Sequence, residues 1–185
     1  MATPDPIFSK EQGRSVLLMI LILLPGLLLA SYCDTFRRYF LCLPSAQISS
    51  LFLGSNCTAT AEGYLLTNPI LTVHVTKVCS AMSFFILLST LAAGAVIRSL
   101  RPKEFLNLIW IIPLAYVITI LANAARIIAG WVTGRWARAV LPENFWPGVH
   151  LGTGVVVFLT FLIITYLLLK WRLLNGHQGS KTAHY

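Results

Sequence analysis

The sequence predicts an all-α polytopic membrane protein with four transmembrane helices. Of the 185 residues, 57% are hydrophobic and only 11% are charged, whereas a soluble domain carries about 25% charged residues. Several apolar runs reach the roughly 20 residues that an α-helix needs to cross a bilayer. No segment outside these runs is long enough for a soluble module. We therefore expect one membrane-embedded domain over 15–172, a cytoplasmic tail at 1–14 and a mobile cytoplasmic tail at 173–185.

The first predicted helix covers residues 15–32 and follows Lys10 and Arg14. A basic flank before a short apolar core is also the pattern of a signal peptide. However, Pro25 and Gly26 lie in the middle of this run, and a membrane helix tolerates such a kink when its neighbours satisfy the freed backbone groups. We interpret the segment as an uncleaved first helix.

The next two segments differ from a simple membrane span. Residues 39–54 are apolar, but the run is short and is interrupted by Pro44 and several polar residues. This pattern predicts an interfacial or re-entrant helix, with a fifth membrane span as the alternative. Within 55–76, the side chains at 71–75 alternate between apolar and polar, which predicts a small β-hairpin at the outer face.

Longer apolar runs predict the remaining membrane helices at 78–98, 104–129 and 150–170. Between the last two, residues 131–149 are rich in aromatic, basic and turn-forming side chains. That composition is typical of an amphipathic segment that lies on the membrane surface.

The basic residues predict the orientation. Arg98, Arg101 and Lys103 crowd the short loop between the second and third helices, and such clusters favour the cytoplasmic side. Both termini then lie on the cytoplasmic side of the membrane, and the opposite helix ends lie at its outer face. The inverted orientation would bring the same ends together on the cytoplasmic side. Membrane flanks of this kind explain the net charge of +8 through anionic headgroups and orientation, without nucleic acid.

Cys79 lies where a polar loop meets the second predicted helix. In the first turn of a helix the dipole and the free N–H groups favour a thiolate, and Ser80 and Ser83 offer hydroxyl groups nearby. Taken alone, such a cysteine is more often a small core residue. The four cysteines contain no CxxC pair, so a zinc or redox motif is not indicated. A disulfide at the outer face between two of three cysteines remains open, and these are Cys33, Cys42 and Cys57.

Two further polar side chains occur at comparable helix boundaries. Arg126 interrupts an apolar helix, which marks a functional site by default, although an arginine near a helix end can also extend to the headgroups. Asn123, three residues earlier, lies on the same helical face and favours a packed polar site. His150 starts the last helix, where a neutral imidazole is favoured and can act as a base. The competing histidine, His74, is expected at the surface.

Together, Cys79, Arg126 and His150 predict a cysteine-nucleophile site, because the topology places their helix ends on one face. A histidine can activate or pair with the thiol, and a fixed cation can stabilise a developing oxyanion.

These residues resemble the exosortase/archaeosortase family of membrane transpeptidases. The resemblance covers roughly 36–170 and rests on Cys79-Ser80, on Ala-Asn-Ala-Ala-Arg-Ile at 122–127, and on His150 with Gly154 four residues later. The short chain resembles the compact exosortase K type. Two positions depart from the family pattern, since Ala81 replaces a glycine and Val149 replaces an aromatic residue.

The resemblance implies an enzyme whose substrates are secreted or membrane-anchored proteins with a C-terminal sorting signal. It implies that Cys79 forms a thioester at the outer face, that Arg126 stabilises the oxyanion with Asn123 in support, and that His150 protonates the leaving amine. A lipid or glycan amine is the implied acceptor, and no metal or organic cofactor is required.

Two other classes remain open. A non-enzymatic membrane assembly protein would use Arg126 and Asn123 as a structural polar pair, with each interaction worth about 0.6–2 kcal/mol. A transporter would place broken helices at mid-membrane in paired repeats, whereas the polar residues here lie at helix ends.

Overall fold

A computed structural model describes residues 32–76, 79–99 and 110–176, together with the single positions 13, 24 and 28. The first predicted helix at 15–32 and most of the basic loop at 99–103 therefore lie outside the described residues. Within the described ranges the chain is mainly helical and carries one small sheet, which agrees with the predicted class.

A short helical segment precedes the sheet. Helix α1 (Asp34–Phe36), a π-helical stretch (Arg37–Cys42) and helix α2 (Leu43–Leu53) follow one another without a break. Helix α2 ends at Gly54, whose φ of 58° is the left-handed conformation that glycine adopts most readily. Small buried residues let α2 approach the long helix that contains Ala124 (Ile111–Val140), since the Ser49 hydroxyl lies 3.3 Å from the Ala124 carbonyl oxygen. This segment corresponds to the predicted interfacial or re-entrant helix.

The predicted β-hairpin is confirmed and has a third strand. Strands β1 (Asn56–Thr60), β2 (Gly63–Asn68) and β3 (Leu71–Thr76) form an antiparallel sheet in the order β1-β2-β3. Its buried face packs Tyr64, Leu66 and Val75 against Cys42 and Ile127. The sheet therefore covers one end of the helices and brings the end of β3 next to the chain that contains Cys79.

Helix α3 (Met82–Ser99) begins later than the sequence predicted. Ala81 has a φ of 54°, a left-handed conformation that cannot continue an α-helix. Its carbonyl oxygen nevertheless accepts a hydrogen bond from the Phe85 N–H at 3.0 Å. The placement of Cys79 in the first helical turn is therefore wrong, because Cys79 lies in a single 3-10 turn before Ala81.

The predicted surface segment at 131–149 is wrong over its first part. Helix α4 runs over Ile111–Val140 as one helix, so its last eleven residues extend about 16 Å beyond the predicted end at 129. Arg126 therefore lies near the middle of α4 and not near a helix end, as the sequence predicted. The helix stops where Leu141 turns to an extended conformation with ψ 148°, because a residue before proline avoids the α region. Pro142 is therefore the stop signal of α4.

Helix α5 (Trp146–Gly176) starts after a 3-10 turn at Glu143–Phe145. It begins four residues earlier than predicted, because Pro147 fits the first turn of a helix, and it ends beyond the predicted limit of 170. His150 consequently lies one turn inside the helix. The last residues of α5 occupy part of the segment that was predicted as a mobile tail.

Two helices within the described ranges are long and apolar enough to cross a membrane. They span Ile112–Val140 and Glu143–Trp171, while the apolar part of α3 described in full, Met82–Ala92, is shorter. The four predicted spans are thus confirmed only for the last two. Helices α3, α4 and α5 pack together, with Phe84 of α3 stacked on Phe158 of α5 at a centroid distance of 4.7 Å.

Candidate active site

A cavity of about 290 Å³ brings Cys79, Arg126 and His150 together. Its walls come from strand β3, the turn before α3, the C-terminal half of α4 and the start of α5. The three side chains are 24 to 71 residues apart in sequence, yet they share this one space. We call it the polar cavity.

His150 packs against a glycine of the neighbouring helix. A Cβ atom built at Gly130 would lie 3.3 Å from both Cε1 and Nδ1 of the imidazole. Because glycine has no side chain, α4 leaves room for the ring at this point. One turn along, the hydroxyls of Thr133 and Thr153 lie 3.0 Å apart and link the same two helices.

Arg126 crosses to α5 over a second glycine. A Cβ at Gly154 would lie only 2.7 Å from Nε of Arg126, a distance that would force the guanidinium group to move. The Arg126 Cζ lies 5.6 Å from the centre of the Phe158 ring, within the range of a cation–π interaction. Among the described residues Arg126 forms no ion pair with a carboxylate, so its charge remains available to an anion in the cavity.

Cys79 is half-buried, and its sulfur accepts a hydrogen bond from the Thr76 hydroxyl at 3.9 Å. A second sulfur lies on the other side of this threonine, because the Cys42 thiol donates to the Thr76 carbonyl oxygen at 3.6 Å. Cys42 lies outside the two spanning helices. Burial and, to a smaller extent, the nearby Cys79 raise the pKa of this thiol and Arg37 lowers it, with a net value of about 11. Cys42 is therefore a neutral thiol at physiological pH.

The backbone at Ala81 explains one departure from the family pattern. A left-handed residue other than glycine costs about 1–2 kcal/mol, and Ala81 occupies this conformation two residues after Cys79. A glycine at this position would adopt the same turn without a Cβ clash. The chain thus keeps the turn that glycine would favour and carries the strain at Ala81.

A larger cavity of about 610 Å³ lies between α3 and α5 and shares Arg126 with the polar cavity. We call it the apolar cavity, because its lining is mainly aliphatic and aromatic. Ser80 and Ser83, predicted as supporting hydroxyls, line this space rather than the polar one. Arg37, which forms an ion pair with Asp34 at 2.9 Å, is a second cation at its edge and had no distinguishing signal in the sequence.

Asn123 is almost completely buried, with 1% of its surface exposed. Neither of its side-chain polar atoms has a hydrogen-bond partner within the described part of the chain. The structure therefore gives no hydrogen bond through which Asn123 could orient Arg126, and an unsatisfied buried amide carries a free-energy penalty of about 1–3 kcal/mol.

Several residues of the polar cavity were not identified as site residues from the sequence. Trp131, Arg135 and Arg138 lie on α4 and line the cavity, as does His74 of β3. Arg135 stacks on Trp131 with Cζ 5.3 Å from the ring centre. The signal was present, because the lining positions 127, 130, 131, 134, 135 and 138 follow the i, i+3, i+4 spacing of one helical face.

The cavity contains cations and imidazoles but no lining carboxylate. Within the described ranges, no group of three or more His, Cys, Asp or Glu residues could hold a metal ion. The arrangement can bind an anion or a developing negative charge beside a thiol, which is the electrostatic requirement of acyl transfer.

A helical membrane protein with a polar cavity between its small sheet, the C-terminal half of α4 and the start of α5 is the class that the fold defines. The chain belongs to the exosortase family, since a family model described as Transmembrane exosortase (Exosortase_EpsH) matches residues 8–167. The match begins earlier than the region of resemblance seen from the motifs. No curated protein and no solved structure matches the chain. Membership supports the general role of a membrane transpeptidase or protease.

Proposed function

We propose that this protein is a cysteine-dependent membrane transpeptidase that cleaves the C-terminal sorting signal of secreted proteins. The observation that carries the proposal is the shared cavity of Cys79, Arg126 and His150. A nucleophile, a cation and a titratable base within one small space supply the groups that acyl transfer requires. The active site faces the outer side of a bacterial cytoplasmic membrane, in which the protein is embedded by several helices.

The reaction begins when the Cys79 thiolate attacks a backbone carbonyl carbon of the substrate. The carbonyl oxygen gains the negative charge of the tetrahedral intermediate, and the Arg126 guanidinium stabilises it. Collapse of the intermediate breaks the C–N bond, and protonated His150 donates its proton to the leaving amine. The products of this half-reaction are a thioester on Cys79 and the released C-terminal segment.

An acceptor amine then completes the transfer. Neutral His150 takes a proton from the incoming amine of a lipid or glycan, the amine nitrogen attacks the thioester carbonyl, and the C–S bond breaks. The Cys79 thiolate leaves, and the new amide joins substrate and acceptor. Water in place of the amine would give hydrolysis.

The apolar cavity accepts the apolar part of the sorting signal. It opens between α3 and α5 and meets the polar cavity at Arg126. An extended or helical apolar segment that contacts this surface would present the adjoining peptide bond to Cys79. Burial of apolar surface contributes about 25 cal/mol per Å², so such a contact can hold the substrate while the polar cavity performs the chemistry.

The test is processing of a co-expressed secreted reporter that carries a C-terminal sorting signal. Cys79→Ala is expected to abolish processing, because no other group in the cavity can form the thioester. Arg126→Gln is expected to lower the rate by about a hundredfold, the usual effect of losing an oxyanion donor. Cys33→Ala, at an exposed cysteine, is the matched control and should process normally. Full processing by Cys79→Ala would refute the proposed function.

A further inference from the structure

Thr76 is the last residue of β3 and stands between two sulfur atoms. Its hydroxyl donates to the Cys79 sulfur at 3.9 Å, and its carbonyl oxygen accepts from the Cys42 thiol at 3.6 Å. Hydrogen bonds to sulfur are longer than those to oxygen, so both distances fit a contact. The two bonds connect a buried thiol, one peptide group and the proposed nucleophile in a single chain.

The sheet holds Thr76 in this position. Thr76 pairs with Gly63 of β2, and a Cβ built at Gly63 would overlap the carbonyl oxygen of Val75 and lie 3.1 Å from the Thr76 Cα. The absence of a side chain at Gly63 thus permits a closer approach of the two strands than any other residue would. Val75 itself is buried, with 1% of its surface exposed, and anchors the end of β3 in the core.

Cys42 has the properties of a fixed donor rather than of a second nucleophile. Its side chain is fully buried and lies in the helical segment that packs under the sheet. Because burial raises the pKa of this thiol to about 11, it keeps its proton while a thiolate forms at Cys79. Its S–H can therefore donate to the Thr76 carbonyl throughout the reaction.

We propose that Thr76 is a positioning residue for Cys79, and this rests on the proposed role of Cys79 as nucleophile. The Thr76 hydroxyl stabilises the Cys79 thiolate and directs the sulfur into the polar cavity, while Cys42 fixes the peptide group of Thr76. A hydrogen bond donated to the charged form of an acid favours that form. Loss of the hydroxyl therefore shifts thiolate formation to higher pH.

Other charged and titratable groups face the same cysteine and must stay unchanged in the test. On the polar cavity these are His74, Arg126, Arg135, Arg138 and His150. On the opposite side of Thr76, a third cavity with Cys42 is lined by Asp34, Arg38 and Glu62, and Arg37 acts on Cys42. Substitution of Thr76 alters none of these charges, so a displaced pH profile reports the hydroxyl group.

The experiment measures the alkylation rate of Cys79 between pH 5 and pH 10 on the purified full-length protein, with iodoacetamide as the probe and mass spectrometry to resolve each cysteine. Thr76→Val keeps the branched shape of the side chain and removes the donor. We expect a rate about tenfold lower at pH 7 and a profile displaced by about one pH unit upward, the effect of one charge-assisted hydrogen bond. The rates converge at high pH, where both proteins carry the thiolate.

Two controls separate the hydroxyl group from the fold. Thr76→Ser should restore the rate to within about twofold, because the donor remains. Thr58→Val removes an exposed hydroxyl of β1 that bonds only to the Leu65 carbonyl, and its profile should match that of the unmodified protein. If Thr76→Val does not fold, the pair Thr76→Ser and Thr76→Ala isolates the same hydroxyl group.

A Thr76→Val profile that coincides with that of the unmodified protein would overturn the inference. So would a Thr76→Ser protein as slow as Thr76→Val, since the effect would then come from the shape of the side chain. Either result is independent of the proposed function, which fails instead if Cys79→Ala still processes the reporter.

Discussion

The two cavities that meet at Arg126 differ in size and in lining. The polar cavity of about 290 Å³ holds a thiol, two histidines and three arginines. The apolar cavity of about 610 Å³ is lined mainly by apolar residues of α3 and α5, with two serines and two arginines. The polar cavity groups charged and titratable side chains around one thiol, whereas an apolar surface binds a ligand through the area that it buries. In the proposed function, the polar cavity performs the chemistry and the apolar cavity binds the substrate.

A glycine of α5 makes room for Arg126 at the point where the polar and apolar cavities meet. The guanidinium group lies over Gly154, where even a methyl group would come within 2.7 Å of Nε. Two residues earlier, Gly152 has no atom within 4 Å of a built Cβ. The same helix therefore contains one glycine that the site requires and one that it does not.

The largest expected effect in the comparison is at this pair of glycines. Gly154→Ala should lower processing of the reporter by about tenfold or more, because displacement of Arg126 weakens oxyanion stabilisation. Gly152→Ala should process normally and raise the free energy of unfolding by about 0.5–1 kcal/mol, the helix propensity difference. Processing assays together with unfolding measurements check both. Equal losses of activity in the two variants would contradict the role of Gly154.

A smaller effect is expected when the apolar cavity is filled. Val155 lines this cavity, whereas its neighbour Val156, which is exposed to a similar extent, lines neither of the two cavities. Val155→Trp should lower processing several-fold, mainly through the apparent KM, because the substrate loses apolar contact area. Val156→Trp is the matched control and should process normally.

Alkylation of Cys79 by iodoacetamide should proceed equally in the Val155→Trp and Val156→Trp variants, since the small probe reaches the polar cavity directly. A Val155→Trp protein with unchanged KM would mean that the apolar cavity does not bind substrate. Loss of Cys79 alkylation in the Val155→Trp protein would mean that the two cavities are not separate.

The smallest effect is expected at Ala81, which joins the nucleophile to α3 and lines the apolar cavity. Ala81→Gly should raise the free energy of unfolding by about 1 kcal/mol, because it removes the strain of a left-handed alanine with φ 54°. Ala139→Gly, at an exposed helical position of α4, should lower it by a similar amount. Reversible unfolding in mixed micelles measures the free energy of unfolding of both variants. A lower value for Ala81→Gly than for the unmodified protein would contradict the proposed backbone strain at Ala81.

The sequence predicted the class, the sheet and the three residues of the polar cavity from local signals. Long apolar runs predict membrane helices because the bilayer sets their length. Alternation at 71–75 predicted β-structure, and polar residues at helix ends predicted a site. The predicted helix boundaries were less accurate. The aromatic and basic residues at 131–140 suggested a surface segment, but they belong to α4, and those that line the polar cavity follow the spacing of one helical face.

Other features have no local signal at all. Thr76 and Cys42 are 34 residues apart, and nothing in either neighbourhood indicates that the two will meet. The roles of Gly130 and Gly154 likewise depend on which side chain of the other helix lies opposite them. The sequence alone could mark Asn123 as a partner for Arg126 by its i+3 spacing, but packing leaves the amide buried without a hydrogen bond.

By itself, the sequence indicated a helical membrane protein and singled out Cys79, Arg126 and His150 as polar exceptions in or beside its apolar runs, because hydrophobic length and polar exceptions are local properties. Only the tertiary structure decided that these residues share one cavity, that Ala81 is strained, and that Thr76 contacts Cys79. These facts depend on the distances between segments far apart in the chain, which packing fixes and which no local pattern records.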